Sequence, residues 1–274
     1  MQYKPNTNNA IHKMKYRYTQ HFKALLYTTI IISGTLSTVS CLNNTSQKQT
    51  TQNKTSKQIY PTLDDIKFNT FKWDNVESTP NYKVWVNPSK TALISIQITQ
   101  KTLEDSPNNW HNLKKVRSYY RGRIVNQTNG GLIHCNVIDL KGNIALDMVI
   151  KKPKQPTGLV YTGSLLIPFK TAYCTINIQA VEKESISGMR TASIFQRWFK
   201  ENKTTAQKDD NGKIIGFTKD PYDASFRKGT LMNYAEQQKF DKDFPEHPLT
   251  ITRQRLKDIK KSIVFSKKIT HLMQ

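Results

Sequence analysis

His134 and Cys135 are adjacent residues of types that bind metal ions, and Asp139 and Asp147 follow a short distance further along the chain. The alternating pattern around them predicts a β-strand, in which successive side chains point to opposite faces of the sheet. His134 and Cys135 therefore do not converge on one ion, and the sequence contains no HxxxH motif. We expect no metal site.

Cysteine is the next residue type with chemistry of its own, and the chain contains Cys41, Cys135 and Cys174. Alternation places the last two inside predicted strands. Two buried thiols are the favoured interpretation, and a disulfide is the alternative if their Cα atoms lie within about 7 Å. Because no CxxC motif is present, a thiol oxidoreductase has no support.

The remaining candidates for catalysis are weak. Ser164 lies in an apolar strand without the strained turn that exposes a nucleophilic hydroxyl. Glu182 and Glu184 share a strand face, as an acid pair for glycoside hydrolysis would, and residues 209–212 have turn chemistry and not the spacing of a calcium loop. With no glycine-rich phosphate loop either, we expect no cofactor and no enzyme. A hydrolase with an unrecognised active site is the alternative.

The N-terminal segment carries an export signal. The first 40 residues contain five basic residues and no acidic residue, and they end in the apolar run Ala24–Val39. This pattern predicts a signal peptide over residues 1–40, because Thr, Ser and Gly interrupt the run and a membrane-spanning helix needs about 20 predominantly apolar residues. The segment Leu36–Cys41 resembles a bacterial lipoprotein processing site, which implies that the Cys41 thiol carries diacylglycerol. An ordinary signal peptide that releases a soluble protein is the alternative.

A polar segment follows Cys41. Leu42–Gln58 has almost no apolar side chain to bury, so burial does not offset the entropy of ordering it. Residues 41–58 are therefore predicted to be a lipidated cysteine and a disordered tether with a reach of about 20–25 Å. The residue after Cys41 is Leu42 and not an aspartate. Resemblance to enterobacterial lipoprotein sorting therefore implies that the protein is anchored in the outer membrane and faces the periplasm.

Positive charge dominates the chain, with 42 Lys and Arg residues against 20 Asp and Glu residues and a net charge of +22. Such a charge attracts acidic partners. The basic residues are scattered and the chain is predicted to be exported, so we expect no nucleic acid. A basic helix face is the candidate surface for an acidic protein or an anionic surface, and an ordinary solvated face is the alternative. This face comprises Lys114, Lys115, Arg117 and Arg121.

The centre of the fold is predicted between residues 159 and 181. Two apolar runs, Leu159–Phe169 and Ala172–Val181, are joined by a short polar link. In the second run polar and apolar residues alternate with the two-residue period of a strand that has one buried face. The apolar face consists of Cys174, Ile176, Ile178 and Ala180, and the polar face of Tyr173, Thr175, Asn177 and Gln179.

Other elements surround this pair. Consecutive short strands with tight turns favour an antiparallel sheet, and residues 59–274 are predicted to form a single α+β domain in which helices cover that sheet. The predicted strands are Ile66–Trp73, Tyr82–Val86, Thr91–Thr99, Leu132–Leu140 and Asn143–Ile150; the predicted helices begin near Asn108, at Met189 and at Leu249, and the second is expected to cover the sheet.

Two resemblances concern the folded part. The order of strands, helix, antiparallel strands and helix, closing on LKDIKKSIVF, resembles the PsbP/Mog1-like fold over Ile66–Phe265. The segments YTGSLLIPF, INIQAVE, GMR, DPYD and FPEHPL are similar to those of an uncharacterised group of bacterial proteins. Both resemblances imply binding or scaffolding and not catalysis. We therefore predict an envelope lipoprotein whose domain binds another macromolecule.

Overall fold

The two strands predicted at the centre of the chain are the middle of a seven-stranded antiparallel sheet. They appear in a computed structural model that describes residues 60–100, 110–183, 188–203, 207, 214–270 and 272. Strand β7 (Leu159–Pro168) pairs with β8 (Tyr173–Val181), and Leu165 lies opposite Ile176. The predicted signal peptide, Cys41 and the tether lie outside the described residues.

The described part of the chain is α+β, as predicted. The strand order is β2-β3-β4-β8-β7-β6-β5, and a separate pair joins β1 to β9. All of these pairs are antiparallel. The remaining strands are β1 (Ile66–Lys67), β2 (Asp74–Thr79), β3 (Tyr82–Val86), β4 (Ala92–Thr99), β5 (Gly131–Asp139), β6 (Ile144–Pro153) and β9 (Val264–Phe265). The α-helices are α1 (Leu113–Thr128), α2 (Met189–Asn202), α3 (Pro248–Ser262) and α4 (Lys267–Thr270), and 3-10 helices cover Leu63–Asp65, Tyr234–Glu236 and Gln238–Asp243.

The main core lies between the sheet and α3. This helix contacts β7 and β8, and its buried residues Leu249, Leu256 and Ile259 belong to the same apolar cluster as Ile176 and Ile178. A Cβ atom at Gly163 would come within 2.9 Å of the Thr252 side chain, so the absence of a side chain there permits close packing of helix on strand. The C-terminal helix is therefore the element that covers the centre of the sheet.

Strand β8 is buried on both faces. Ile176 is fully buried, as predicted, but Thr175 and Asn177 are also only 3% and 5% exposed. β8 has a paired strand on each side, and the Ser164 hydroxyl donates a hydrogen bond to Asn177 Oδ1 at 2.6 Å, so the sheet satisfies part of this polar face itself. The prediction that one face of β8 meets solvent was wrong, and Ser164 is not an exposed nucleophile.

The first predicted strand is shorter than expected. β1 ends at Lys67, where its pairing with the two-residue strand β9 ends, and positive φ angles of 59° and 56° at Phe71 and Lys72 then turn the chain. The next strand, β2, was not predicted at all. Its residues are all exposed, so they show no alternation of buried and exposed positions.

Helix α1 follows the predicted face closely. Asn112 caps its start by accepting a hydrogen bond from the Lys115 amide at 3.1 Å, and the chain reverses at Asn129, whose φ is 50°. Val116, Tyr120 and Ile124 are buried. The helix packs against β5 and β6, at that edge of the sheet. The expected start near Asn108 lies outside the described residues.

Helix α2 does not cover the sheet as expected. It packs against the 3-10 helix Tyr234–Glu236, and Ile194 and Trp198 form a separate cluster with Phe217 and Ala235. This second small core fixes the segment that leads into α3. Within the described residues, no helix combines the length and apolar character needed to cross a bilayer.

Candidate binding cavity

The β5–β6 hairpin brings His134 and Asp147 to one face of the sheet. Asn136 lies opposite Asp147 and His134 lies opposite Val149, so the two polar side chains are diagonal neighbours. His134 Nε2 is 3.8 Å from Asp147 Oδ2. Cys135 points to the other face, as the alternation predicted.

Asp139 does not join this pair. It lies at the hairpin end, opposite Ile144, and its Oδ1 accepts a hydrogen bond from the Gly142 amide at 2.8 Å. Among the described residues, no group of three or more His, Cys, Asp and Glu side chains could hold a metal ion. The candidate turn at residues 209–212 lies outside the described residues.

Helix α3 supplies the opposite wall of the site. His247 precedes the helix and accepts a hydrogen bond from the Leu249 amide at 3.1 Å, and Pro248 occupies the first turn, so the start of the helix is fixed. Arg253, Lys257 and Lys260 then follow at intervals of four and three residues. That spacing places three cationic side chains along one side of the helix.

Asp147 connects the two walls. Its carboxylate is 3% exposed, and Oδ2 accepts a hydrogen bond from Lys260 Nζ. In the described part of the chain, Oδ1 has no hydrogen-bond partner. Burial lowers the pKa of His134; Asp147 raises it, whereas Lys260, Arg253 and Arg117 lower it. The imidazole therefore lies among three cations and one carboxylate.

These residues surround a cavity of about 640 Å³ between the hairpin and α3. We call it the α3 cavity. Besides the charged groups, its walls contain side-chain amides and apolar side chains. Its described lining is Ile133, His134, Asn136, Ile138, Asp147, Val149, Met232, Gln237, Gln238, Asp241, Thr250, Arg253, Gln254, Leu256, Lys257 and Lys260.

One end of the α3 cavity is held rigidly by arginine. Asp241 accepts hydrogen bonds from Arg190 and Arg253, each at 2.9 Å. Arg190 is 1% exposed and also donates to the Ala235 carbonyl oxygen at 2.8 Å, while Arg253 donates to the Glu236 carbonyl oxygen at 2.6 Å. Because these charge-assisted bonds join α2, α3 and the 3-10 segment, they fix the position of Arg253.

The predicted basic face divides into two parts. Arg117 donates to the Cys135 carbonyl oxygen at 3.0 Å and to Asn136 Oδ1 at 2.7 Å, and its guanidinium lies 3.8 Å from the centre of the Tyr222 ring. Arg121 is paired with Asp220 at 3.2 Å. These two arginines attach the chain near residue 220 to the sheet edge, whereas Lys114 and Lys115 are exposed.

A second polar cluster lies deeper in the molecule. Lys151 Nζ is 2.9 and 2.7 Å from the two carboxylate oxygens of Glu236, and the Tyr161 hydroxyl donates to the same carboxylate at 3.0 Å. Glu182, one of the predicted acid pair, lies 3.2 Å from His247. Glu184 lies outside the described residues, so the pair of Glu182 and Glu184 stays a prediction.

Lys151 and Glu182 line a second cavity of about 770 Å³ beside the start of α2. Lys151 is paired with Glu236, and Glu182 accepts a hydrogen bond from the Leu159 amide and lies beside His247. Their arrangement is that of a buried structural network, because each charge has a partner.

Cys135 and Cys174 are both free and buried. Their strands, β5 and β8, are separated by β6 and β7. At a spacing of about 4.8 Å per strand the two thiols lie roughly 14 Å apart across the sheet, too far for a disulfide. Of the two alternatives that the sequence left open, the structure has the buried thiols.

No family model matches the chain, and no curated protein matches it. Solved structures give partial likenesses. The Ran-binding protein Mog1p of Saccharomyces cerevisiae is 10% identical, with a TM-score of 0.36 over 73% of this chain and 85% of that one. A protein of unknown function and putative regulator from Pseudomonas aeruginosa is 9% identical, with a TM-score of 0.30 over 49% of this chain and 88% of that one.

A third structure is LpqN, involved in cell envelope biogenesis of Mycobacterium tuberculosis. It is 14% identical, with a TM-score of 0.20 over 46% of this chain and 70% of that one. Mog1p, the namesake of the fold that the element order resembles, is thus among the structural neighbours. At TM-scores below 0.5 these likenesses define neither a fold family nor a function for the chain.

Proposed function

We propose that the chain is a bacterial envelope lipoprotein that binds an acidic macromolecule and does not catalyse a reaction. Cys41 carries the lipid, residues 41–58 form the tether, and residues 59–274 form the binding domain. The lipoprotein-like segment before Cys41 and the excess of basic residues support this proposal. Leu42 after the cysteine favours the outer membrane, with the domain in the periplasm.

The observation that carries the binding function is the surplus of positive charge around His134. Lys260, Arg253 and Arg117 act on this ring, against the single carboxylate of Asp147. Within the described lining, Asp147 is bonded to Lys260 and Asp241 to Arg253, which leaves Lys257 without a carboxylate partner. An unpaired cation in a concave site attracts a negatively charged group.

The exposed part of the basic face extends this positive region. Lys114 lies one helical turn before Arg117, and Arg117 reaches the Asn136 side chain in the wall of the α3 cavity. Lys114 and Lys115 are therefore the groups that a macromolecular partner would meet first. Their contribution should act mainly on the rate of association and on its salt dependence.

The partner test uses a fluorescein-labelled oligoglutamate peptide and the mature protein, with fluorescence anisotropy as the readout. We expect binding that weakens as salt rises and that weakens further in the double variant Lys114→Gln/Lys115→Gln. The matched control is Lys200→Gln/Lys203→Gln, which removes two exposed lysines at the C-terminal end of α2. Absence of peptide binding, or equal losses in both double variants, would overturn the proposed surface.

The anchor is tested separately. The intact mass of protein extracted from membranes should show an acylated cysteine at the N-terminus, and Cys41→Ser should release the protein from the membrane fraction. Limited proteolysis should cut within residues 42–58 and leave a stable fragment that begins near residue 59. An unmodified N-terminus elsewhere, or a Cys41→Ser protein that stays bound to membranes, would contradict the lipoprotein assignment.

A hydrolase is the second candidate function, and the pair of His134 and Asp147 favours it. A carboxylate beside an imidazole can orient the ring for proton transfer to water. Their 3.8 Å separation is longer than a hydrogen bond, however, and no serine or cysteine belongs to the described lining of the cavity. Hydrolysis of a chromogenic ester, phosphoester or glycoside that His134→Gln abolishes would establish the enzyme in place of the binding protein.

A further inference from the structure

Asp147 is a buried carboxylate with one oxygen engaged and one oxygen left over. Lys260 occupies Oδ2, and Oδ1 has no partner in the described part of the chain although the side chain is 3% exposed. A buried acceptor without a hydrogen bond lowers the free energy of unfolding, so such groups in native proteins are usually bonded to water or to a ligand. Oδ1 is itself buried, but Asp147 lines the α3 cavity, so a donor in the cavity can satisfy this oxygen once the carboxylate turns toward it.

Cations lie close to this acceptor. On α3, Arg253 already uses its guanidinium nitrogens on Asp241 and on the Glu236 carbonyl oxygen. Lys257 and Lys260 follow on the same side of the helix and both line the cavity, as does His134. The site therefore offers positive charge and a hydrogen-bond acceptor within one enclosure.

The enclosure has the size and the mixed lining of a small-molecule site. Its volume of about 640 Å³ lies within the range of roughly 300–1,000 Å³ usual for such sites. Ile133, Val149 and Leu256 form apolar walls, and three glutamines supply side-chain amides. Such a cavity admits a ligand larger than a bare ion.

We propose that the α3 cavity binds an oxyanion that carries a neighbouring hydroxyl or ammonium group. The hydroxyl or ammonium group donates to Asp147 Oδ1, and Lys257 and Lys260 hold the oxyanion. This inference rests on the proposed binding function and narrows it, because it names the chemical class of anionic group that the α3 cavity accepts. A glycerophosphate unit, free or at the end of a lipid, has this chemistry.

The test compares three probes by titration calorimetry on the mature protein with Cys41→Ser: glycerol 3-phosphate, inorganic phosphate and glycerol. We expect glycerol 3-phosphate to bind about tenfold more tightly than phosphate, because a hydrogen bond to a charged group is worth about a factor of ten or more. Glycerol alone should show no heat of binding. Equal affinities for the two phosphates, or no binding of glycerol 3-phosphate, would overturn the proposal.

Two variants separate the donor site from the charge. Asp147→Asn should remove the preference for glycerol 3-phosphate and leave the affinity for inorganic phosphate equal or higher, since a negative charge is lost. Lys257→Gln, at an exposed position of α3, should weaken the binding of both phosphates by a similar factor, and Lys200→Gln is its control. If Asp147→Asn does not fold, Lys257→Gln decides alone, and an unchanged affinity for glycerol 3-phosphate in that variant overturns the proposal.

Two further arms identify the source of the ligand and keep the two proposals apart. Flotation of the protein with phosphatidylglycerol vesicles is compared with flotation with phosphatidylcholine vesicles, to ask whether a lipid headgroup supplies the glycerophosphate. Flotation with phosphatidylglycerol that free glycerol 3-phosphate reverses would identify the lipid as the ligand. No flotation with phosphatidylglycerol would identify the free solute as the ligand. Competition with the oligoglutamate peptide is measured in parallel. Peptide binding without any binding of glycerol 3-phosphate would refute the ligand class and leave the acidic-partner function standing.

Discussion

Breaking the buried pair of Lys151 and Glu236 should destabilise the fold strongly. The two side chains are 2% and 1% exposed, and Nζ lies 2.7 Å from the nearer carboxylate oxygen. Lys151→Met leaves the carboxylate with hydrogen bonds from the Tyr161 hydroxyl and the Asn233 backbone amide but, among the described residues, with no salt-bridge partner. We expect a loss of about 3–5 kcal/mol in the free energy of unfolding, the usual cost of leaving one buried charge uncompensated.

The double variant makes the argument quantitative. In Lys151→Met/Glu236→Gln both charges are absent, and methionine fills most of the volume of the lysine chain. Replacing a whole buried pair by uncharged groups is often close to neutral, so the double variant should be more stable than Lys151→Met alone. The two effects should be non-additive by at least about 1 kcal/mol, as expected for residues in one hydrogen-bonded network.

Urea denaturation of the mature protein, followed by tryptophan fluorescence and by circular dichroism, gives these free energies. Lys200→Met is the control, because it removes a lysine charge from an exposed position on α2 and should change stability by less than about 0.5 kcal/mol. A loss below about 1 kcal/mol in Lys151→Met, or strict additivity in the double variant, would refute the view that this pair is buried and mutually compensating.

Three further predictions concern the core, the basic face and the thiols. Ile176→Ala, at a fully buried position, should lower stability by about 2–5 kcal/mol in the same urea assay, and a loss under about 1 kcal/mol would mean that the core is misplaced. Arg117→Gln removes two hydrogen bonds and a ring contact and should lower the free energy of unfolding by about 1–3 kcal/mol. Lys115→Gln should change it by less than about 0.5 kcal/mol. Equal effects of the two variants would contradict the division of the basic face. Burial raises the pKa of Cys135 to about 12 and raises that of Cys174, so Ellman's reagent should label both thiols only in urea, and rapid labelling of the folded protein would show that they are accessible.

The sequence predicts the centre of the fold because the pattern there is local. Strands β7 and β8 and the β5–β6 hairpin are long, rich in β-branched residues and bounded by turn residues; Lys141 and Gly142 take the positive φ angles of 57° and 82° that a tight hairpin turn requires. β2 was missed because a fully exposed strand carries no hydrophobic period. The alternation of β8 located its apolar residues correctly, but it could not reveal that the polar face is buried as well, since that depends on elements distant in sequence.

The β5–β6 wall of the α3 cavity could have been predicted from the sequence, whereas the α3 wall could not. Counting outward from the Lys141–Gly142 turn places Asp147 opposite Asn136 and therefore on the same face as His134. The adjacent residues His134 and Cys135 were interpreted together as candidate metal ligands. Because their side chains lie on opposite faces, that hypothesis failed, and it did not indicate that His134 and Asp147 are neighbours. The contribution of α3 was not predictable in the same way, because Lys260 lies 113 residues from Asp147 along the chain and no local pattern reports that contact.

The different uses of arginine and lysine explain why the basic face is only partly available. A guanidinium group forms several directed hydrogen bonds and stacks on aromatic rings, so it readily joins elements within a fold, whereas an ammonium group on a flexible chain is more strongly hydrated. Arg117, Arg121 and Arg190 all follow this rule in the structure, holding Tyr222, Asp220 and Asp241 in turn. A count of positive charge along a helix therefore overstates the binding surface wherever the charges are arginines. The lysines that remain, on α1 and along the cavity side of α3, are the groups by which an acidic partner would be held.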